Sequence, residues 1–498
     1  MSEAIDLSHH LSLLARSRKA SPLKDILAYL HYPGMVSLAG GLPHPALFPF
    51  ANIDVEVYNP GSDLSSLVSS DTTHISVPKV NTEGGVSLAV ALQYADVSGM
   101  RALLKYAREF TQLVCSPAYK NWDVLINCGN TDGWTKAVGL LCEPGDYILV
   151  EEYTFSSAQY LWIPMGCKGA PIKMDAEGLR ADHLDEVLTT WDTTHPGVKK
   201  PHVLYATPTG QNPTGTLMPD KRKQEVYDVC VKHDIIIVED DPYYFLQLAP
   251  YVLNAPASTP TAYSQSAHLA SLEKTFLNID VQGRVIRLDS FSKTVAPGSR
   301  IGWFTANPLF TERLLRASEV TTQTPSGWSQ GIIIRLLDEW KLGGFLQWLH
   351  GLAAEYQKRR DWMCDGLAAS FDVQPSTHDA SLTAYLKGTQ TRLFTFVPPR
   401  AGMFVWLKVF LHENKQYQEM KGKLEEPELD YEKMLWQDMA DAKVLLSSGN
   451  FFLPWEGKEK MDREENVIFF RLSYSMTSKE AMQAAVQRMA DVFAGAWS

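Results

Sequence analysis

Five short polar clusters interrupt apolar stretches of this chain, and each holds side chains that could do chemistry. In Asp289-Ser290-Phe291-Ser292-Lys293 a lysine follows an apolar run and has serines on its N-terminal side. A lysine withdrawn from water loses its proton more readily and becomes a nucleophile toward carbonyl carbon. The two hydroxyls, with Arg300 seven residues on, also suit a phosphate. In Glu239-Asp240-Asp241-Pro242-Tyr243-Tyr244, three carboxylates close another apolar run. They repel one another unless something cationic lies among them. A metal ion is one candidate and a solvated acidic run another; no His or Cys stands beside them as a further ligand.

The other three clusters are quieter. Gly129-Asn130-Thr131-Asp132-Gly133-Trp134 is a turn opening a helix, and free N–H groups with a positive dipole end there suit a phosphate. The same residue types also make a plain helix cap. Thr207–Gly215 (TPTGQNPTG) is a turn-rich stretch in which a buried Asn212 amide could donate to a ligand oxygen. In Phe469-Phe470-Arg471-Leu472-Ser473-Tyr474 an arginine sits inside an apolar strand. It needs an anion, either a ligand carboxylate or a structural partner from elsewhere in the chain.

Something must hold these clusters together. From Val86 to about Asn307, short β-rich runs alternate with helical patterns. The runs are Asp123–Asn127, Tyr147–Glu152, His202–Thr207, Asp234–Asp240, Val285–Asp289 and Ile301–Ala306. Most are continuously apolar, as in strands buried on both faces of a mainly parallel sheet. Gly99–Leu113 and Lys221–His233 read as intervening helices, which predicts βαβ wrapping. Ligands of such sheets bind at the carboxyl ends of the strands, and four of the five clusters stand there. Residues 60–85 read as a surface loop. Beyond residue 308 come long helices (Leu309–Thr321, Gln330–Trp340, Phe345–Ala368), a strand at Ala401–Val409, and a charged insert, Leu411–Tyr431, expected as a solvated loop or helix. A strand at Val467–Tyr474 and a helix at Ser478–Ala494 close a second, α+β unit. The expected division is 1–85 as an N-terminal arm and part of a small domain, 86–340 as the large domain, and 341–498 as the small C-terminal domain.

With 498 residues, 45% of them hydrophobic, the chain can bury a large core without disulfides or metals. A formal net charge of −11 argues against nucleic acid and against a polybasic membrane surface. The six cysteines are scattered, with no C-x-x-C pair, so a reducing compartment and no metal are expected. The start, MSEAIDLSHH, has neither an apolar signal core nor an Arg-rich transit pattern, and no apolar run approaches a membrane span. The expected location is cytoplasmic.

Order and spacing of the clusters are more telling than any one of them. With Ser37–Phe50 (SLAGGLPHPALFPF), Leu92-Gln93-Tyr94, Ser299–Gly302 (SRIG) and Gly402–Trp406 (GMFVW), they resemble the fold-type-I pyridoxal-phosphate aminotransferases. Within these the likeness is to the fungal aromatic amino acid and 2-aminoadipate aminotransferases of the kynurenine aminotransferase group, from about Ser21 to the C-terminus. The resemblance implies an α/β fold: a large domain on a mainly parallel seven-stranded sheet wrapped by helices, and a smaller α+β domain from the C-terminal part and the N-terminal segment. It implies pyridoxal 5'-phosphate as cofactor, bound to Lys293 as a Schiff base. Lys293 would then move the proton between substrate and cofactor.

By the same resemblance Asp240 would pair with the pyridinium nitrogen, keeping the ring an electron acceptor. Asn212 and Tyr243 would hydrogen-bond the ring hydroxyl oxygen, and Phe155 would stack on the ring. The phosphate would rest on the Asn130 and Thr131 backbone with Ser290, Ser292 and Arg300, and Tyr94 would reach it from the neighbouring subunit of a homodimer. Arg471 would clamp the substrate α-carboxylate, Gly41 would leave room for it, and Lys24 would attract a distal carboxylate. Animal relatives carry Gly-Ser-Gln where this chain has Gly129-Asn130-Thr131, and Tyr where it has Phe155. The implied reaction moves an amino group, aromatic donors favoured, to a 2-oxo acid such as 2-oxoglutarate. A transaminase or lyase of secondary metabolism would use the same site. A cofactor-sensing regulator would add a DNA-binding domain for which the N-terminal segment is too short.

Overall fold

The computed structural model describes residues 1–498 apart from 21–28, 30, 31, 37, 40, 68–70, 81–84, 256–261, 459 and 498. Its first sheet is a hairpin, β1 (Asn52–Tyr58) against β2 (Thr72–Pro78), antiparallel from Asn52↔Pro78 to Tyr58↔Thr72. Part of the stretch expected as loop, 60–85, is therefore strand. Its polar residues face water, while Ile75 and Val77 turn inward at period two. One-sided burial left too few apolar residues to stand out against the surrounding Ser and Thr.

The large sheet comprises β3 (Asp123–Asn127), β4 (Tyr147–Glu151), β5 (Lys168–Ile172), β8 (Val203–Ala206), β9 (Ile236–Asp240), β10 (Val285–Ser290) and β11 (Gly302–Ala306). A two-residue pair, β6 (Met174–Asp175) with β7 (Gly178–Leu179), lies apart from it. The order is β3-β11-β10-β9-β8-β4-β5, and only the pairs made by β11 are antiparallel. Successive residues serve opposite faces. Val150, Tyr205 and Val238 join one core with Trp134 and Phe304, while Leu149, Leu204 and Ile237 join another with Leu184 and Val226. Both faces are covered, which is why these strands are almost uniformly apolar. At the N-terminus, Leu7, Leu11 and Ala15 enter the large sheet's core.

The second sheet is antiparallel: β12 (Asp372–Pro375), β13 (Leu382–Tyr385), β14 (Arg392–Phe396), β15 (Phe404–Phe410), β16 (Ser447–Ser448) and β17 (Val467–Ser473), in the order β12-β13-β14-β15-β17-β16. It packs with the helix Lys479–Ala496 and the end of the helical run Gly327–Ser370. That run is interrupted at Lys341 (φ 55°), between the two helices expected there. The charged insert is not merely solvated. It forms helices Lys415–Lys421 and Pro427–Asp441, with Tyr417 and Tyr431 buried against the second sheet's core. Asn414 caps the first helix and donates to the Tyr431 hydroxyl (2.6 Å). Among the described residues no helix is long and apolar enough to cross a membrane.

Candidate active site

The parallel strands deliver their carboxyl ends to one side of the sheet. β11 runs the other way, so the residues preceding it, Ser299 and Arg300, return to that side too. There the polar clusters converge.

Strand alternation sorts the acidic run. Glu239 and Asp241 point to one face and meet the fully buried Arg287 of β10. Its Nη1 stands 3.1 Å from Glu239 Oε1 and 3.1 Å from Asp241 Oδ2, and its Nε donates to both oxygens of Asp289 at 3.1 Å. This arginine is the cation that the carboxylates require, so no metal need be invoked. Asp240 faces the other way. It accepts from the Tyr205 hydroxyl (2.6 Å) and from Asn130 Nδ2 (2.7 Å). Burial raises its pKa and these two donors oppose the rise, favouring the carboxylate. The Asn130 side chain thus serves Asp240, and only its backbone remains for a phosphate.

The phosphate cradle is assembled from three elements. Gly129 (φ 92°) turns the chain from β3 into the helix Asn130–Leu141, whose first N–H groups have no side-chain cap. Arg300 lies directly over that turn: a β-carbon at Gly129 would come within 2.7 Å of its Nη2. The guanidinium donates to the carbonyls of Cys128 (2.9 Å) and Pro297 (3.1 Å) and to Ser292 Oγ (3.3 Å), and it pairs with no carboxylate among the described residues. Ser290 Oγ donates to Ser292 Oγ at 2.8 Å. An uncapped helix start, an unpaired guanidinium and two hydroxyls fit a phosphate dianion. Thr131, the second residue of that helix, is exposed.

Lys293 ends a short 3-10 turn after β10 and is half-buried, its Nζ 5.9 Å from the centre of the Tyr243 ring. Burial, then the positive charge of Arg471, lowers its pKa. Asp240 stands opposite Leu288 in the neighbouring strand, so lysine and aspartate project from adjacent strand ends. Arg471 comes from β17 of the other sheet. Its Nη1 donates to Asn212 Oδ1 (2.6 Å) and its Nη2 to Ser447 Oγ (3.0 Å). Its guanidinium lies over the rings of Phe404 (4.3 Å) and Phe452 (4.9 Å). It has no carboxylate partner among the described residues, and its Nε is buried without an acceptor. With Oδ1 engaged by Arg471, the Asn212 amide presents Nδ2 as a free donor.

Of the other expected residues, Phe155 precedes the helix Ser156–Trp162 after β4 and packs on the core holding Trp134 and Tyr205. Gly41 is exposed, with open space where a side chain would be. Tyr94 is 67% exposed and lines a separate groove of about 950 Å³ with Val90 and Leu342. Lys24 lies outside the described residues. His9, His10 and Asp234, the one cluster of metal-ligand types among the described residues, gather at the far end of β9. Tyr205, Arg287, Ser447 and Phe452 were not singled out from the sequence. A tyrosine or phenylalanine in an apolar run reads as core, and an arginine two residues before Asp289 was the one available signal.

The family model for class I and II aminotransferases matches residues 91–489. An aromatic amino acid aminotransferase of Schizosaccharomyces pombe is 38% identical, covering 98% of this chain and 97% of the relative. An L-tyrosine:2-oxoglutarate aminotransferase of Serpula lacrymans is 36% identical, covering 90% and 83%. The crystal structure of aminotransferase Aro8 from Candida albicans superposes with a TM-score of 0.89 at 33% identity, covering all of both chains.

Proposed function

The chain belongs to the class I and II aminotransferase family, with pyridoxal 5'-phosphate as its cofactor, and from that premise we propose that it moves an amino group from an aromatic amino acid to 2-oxoglutarate. The observation that carries the reading is a half-buried amine near enough to Arg471 for that charge to lower its pKa, with no carboxylate paired to the guanidinium among the described residues. The aromatic preference rests on the names of the relatives and on the Phe404 and Phe452 rings that flank Arg471.

The bound cofactor supplies a carbonyl carbon for the amino group and a ring that takes up the electron pair released when the substrate C–H bond breaks. Lys293 Nζ would be the attachment point for the cofactor and the base for the substrate α-proton; burial and the Arg471 charge, which lower its pKa, favour the neutral amine that both tasks need. The Asp240 carboxylate, held by Tyr205 and Asn130, would keep the ring nitrogen protonated. Asn212 Nδ2 and the Tyr243 hydroxyl would donate to the ring oxygen. Ser290, Ser292, Arg300 and the N–H groups of Asn130 and Thr131 would hold the phosphate, with Phe155 against the ring. Arg471 would grip the α-carboxylate beside Gly41, fixing the C–H bond for Lys293. Lys24 is assigned to the distal carboxylate of 2-oxoglutarate.

We assign the two cores to a large domain, 86–340, and a small one, 341–498, with 1–85 as the N-terminal arm and part of the small domain. We also assign a homodimer in which Tyr94 reaches the partner's phosphate; Val36, Leu38, Leu47, Val90 and Tyr94 are each left exposed, as side chains that a second subunit covers would be. The location we assign is cytoplasmic.

The test is spectroscopic. Purified protein should show the cofactor's near-ultraviolet or visible band. Aromatic amino acids should bleach it and 2-oxoglutarate should restore it. Lys293→Ala should abolish turnover; a variant that turned over at the wild-type rate would remove the proposal.

A further inference from the structure

Arg471 is gripped from two sides. Asn212, from the large sheet, holds Nη1. The other side is the loop from Ser447 to Phe452, which touches Arg471 twice: Ser447 Oγ accepts from Nη2, and the Phe452 ring lies under the guanidinium. Ser447 is also the residue paired with Arg471 in the β16–β17 ladder. The far end of this loop is tied to the large sheet, where the Thr154 N–H donates to the Phe452 carbonyl (2.8 Å) and the Ser156 hydroxyl to that of Phe451. The end nearer Ser447 is held by a carboxylate from the helix Pro427–Asp441. Glu432, 2% exposed, accepts with one oxygen from the Ser448 hydroxyl and from the Asn450 N–H (3.0 Å). Gly449 between them presses on β17: a β-carbon there would meet Phe469 Cβ at 2.5 Å.

Resting on the reading of Arg471 as the carboxylate clamp, we propose that Glu432 is a positioning residue for that clamp, holding Ser447 and Phe452 against the guanidinium from a helix that touches neither substrate nor cofactor. Two donors on one buried oxygen tie together residues on either side of the turn, so the loop cannot drift from Arg471 without breaking both bonds. Without that tether the guanidinium keeps Asn212 and loses a defined partner for Nη2. It would then spread over several orientations, and a bidentate grip on a carboxylate depends on orientation. Burial raises the Glu432 pKa, against its two donors and the Arg463 charge. Glutamine keeps an acceptor oxygen at the same reach, and leucine keeps the volume without it.

The experiment uses the holoenzyme and two probes. One is steady-state turnover with an aromatic amino acid and 2-oxoglutarate. The other is 3-phenylpropanoate, which has a carboxylate and a ring but no amino group, titrated against the cofactor band. Glu432→Leu should raise both KM values and the 3-phenylpropanoate Kd about tenfold, with kcat within about twofold and the cofactor band unchanged. Glu432→Gln should stay within about twofold of wild type on all of these, and Ser448→Ala, which removes one donor, should raise KM about threefold. Adding Glu432→Leu to Arg471→Lys should raise KM no further, because both act through one contact. Should Glu432→Leu not fold, Ser448→Ala, alone and on Arg471→Lys, decides by the same criteria. Unchanged KM and Kd, or effects that multiply on Arg471→Lys, overturn the inference. If Arg471→Lys itself leaves KM unchanged, the clamp reading fails first, and that result is distinct.

Discussion

Two arginines, Arg287 and Arg471, sit in apolar strands of this protein, and their surroundings are opposite. Arg287 is fully buried among Glu239, Asp241 and Asp289 and lies over the Tyr244 ring (4.8 Å). Its three carboxyl neighbours outnumber it, and burial raises the pKa of Glu239 against the pull of the Arg287 charge. Arg471 has no carboxylate among the described residues, only an amide, a hydroxyl and two aromatic faces. A buried charge is retained at a cost in desolvation. Arg287 recovers it inside the fold. Arg471 recovers less of it inside the fold, and that difference is the physical ground for proposing it as the carboxylate clamp.

The contrast can be broken by removing each charge in turn. Arg287→Met strands carboxylates in the core and should destabilise the protein by about 3–5 kcal/mol, read from the urea midpoint. Arg471→Met fills the slot between Phe404 and Phe452 with an apolar chain and leaves no buried charge unpaired. Its unfolding free energy should stay within about 1 kcal/mol of wild type while kcat/KM falls roughly a hundredfold, mostly through KM. A midpoint loss as large as that of Arg287→Met would show that Arg471 is structural after all.

The same contrast explains what the sequence could and could not disclose. A charged residue against an apolar run stands out, so Lys293, Asp240 and Arg471 were legible as anomalies. Their partners were not. Tyr205 reads as an ordinary strand residue, and nothing local connects Glu432 to Ser448 or Ser447 to Arg471, since those contacts exist only once the second sheet has formed. The strands followed the same logic. β3 and β9–β11 were readable because burial on both faces makes them continuously apolar. β5, sequence KGAPI, was not: it is an edge strand, where Lys, Gly and Pro are tolerated. The insert hid its packing for a related reason. Its two buried tyrosines are outnumbered by charges that face water.

The smallest effect tests whether Lys293 and Arg471, the proposed base and clamp, sense each other. The Arg471 charge disfavours protonated Lys293 and so helps to lower its pKa, after burial. Neutral amine is the form that attacks the cofactor's carbonyl carbon. In protein stripped of cofactor, the rate of reattachment should therefore rise with pH as Lys293 loses its proton. Replacing Arg471 with Met removes a repelling positive charge, stabilises the protonated amine and moves that rise to higher pH. A charge-keeping Arg471→Lys should move it less. Following the growth of the cofactor band by stopped flow across pH gives the three profiles. A shift to lower pH in Arg471→Met, or none, would mean that burial alone sets the lysine, and the two groups would then be neighbours without electrostatic coupling.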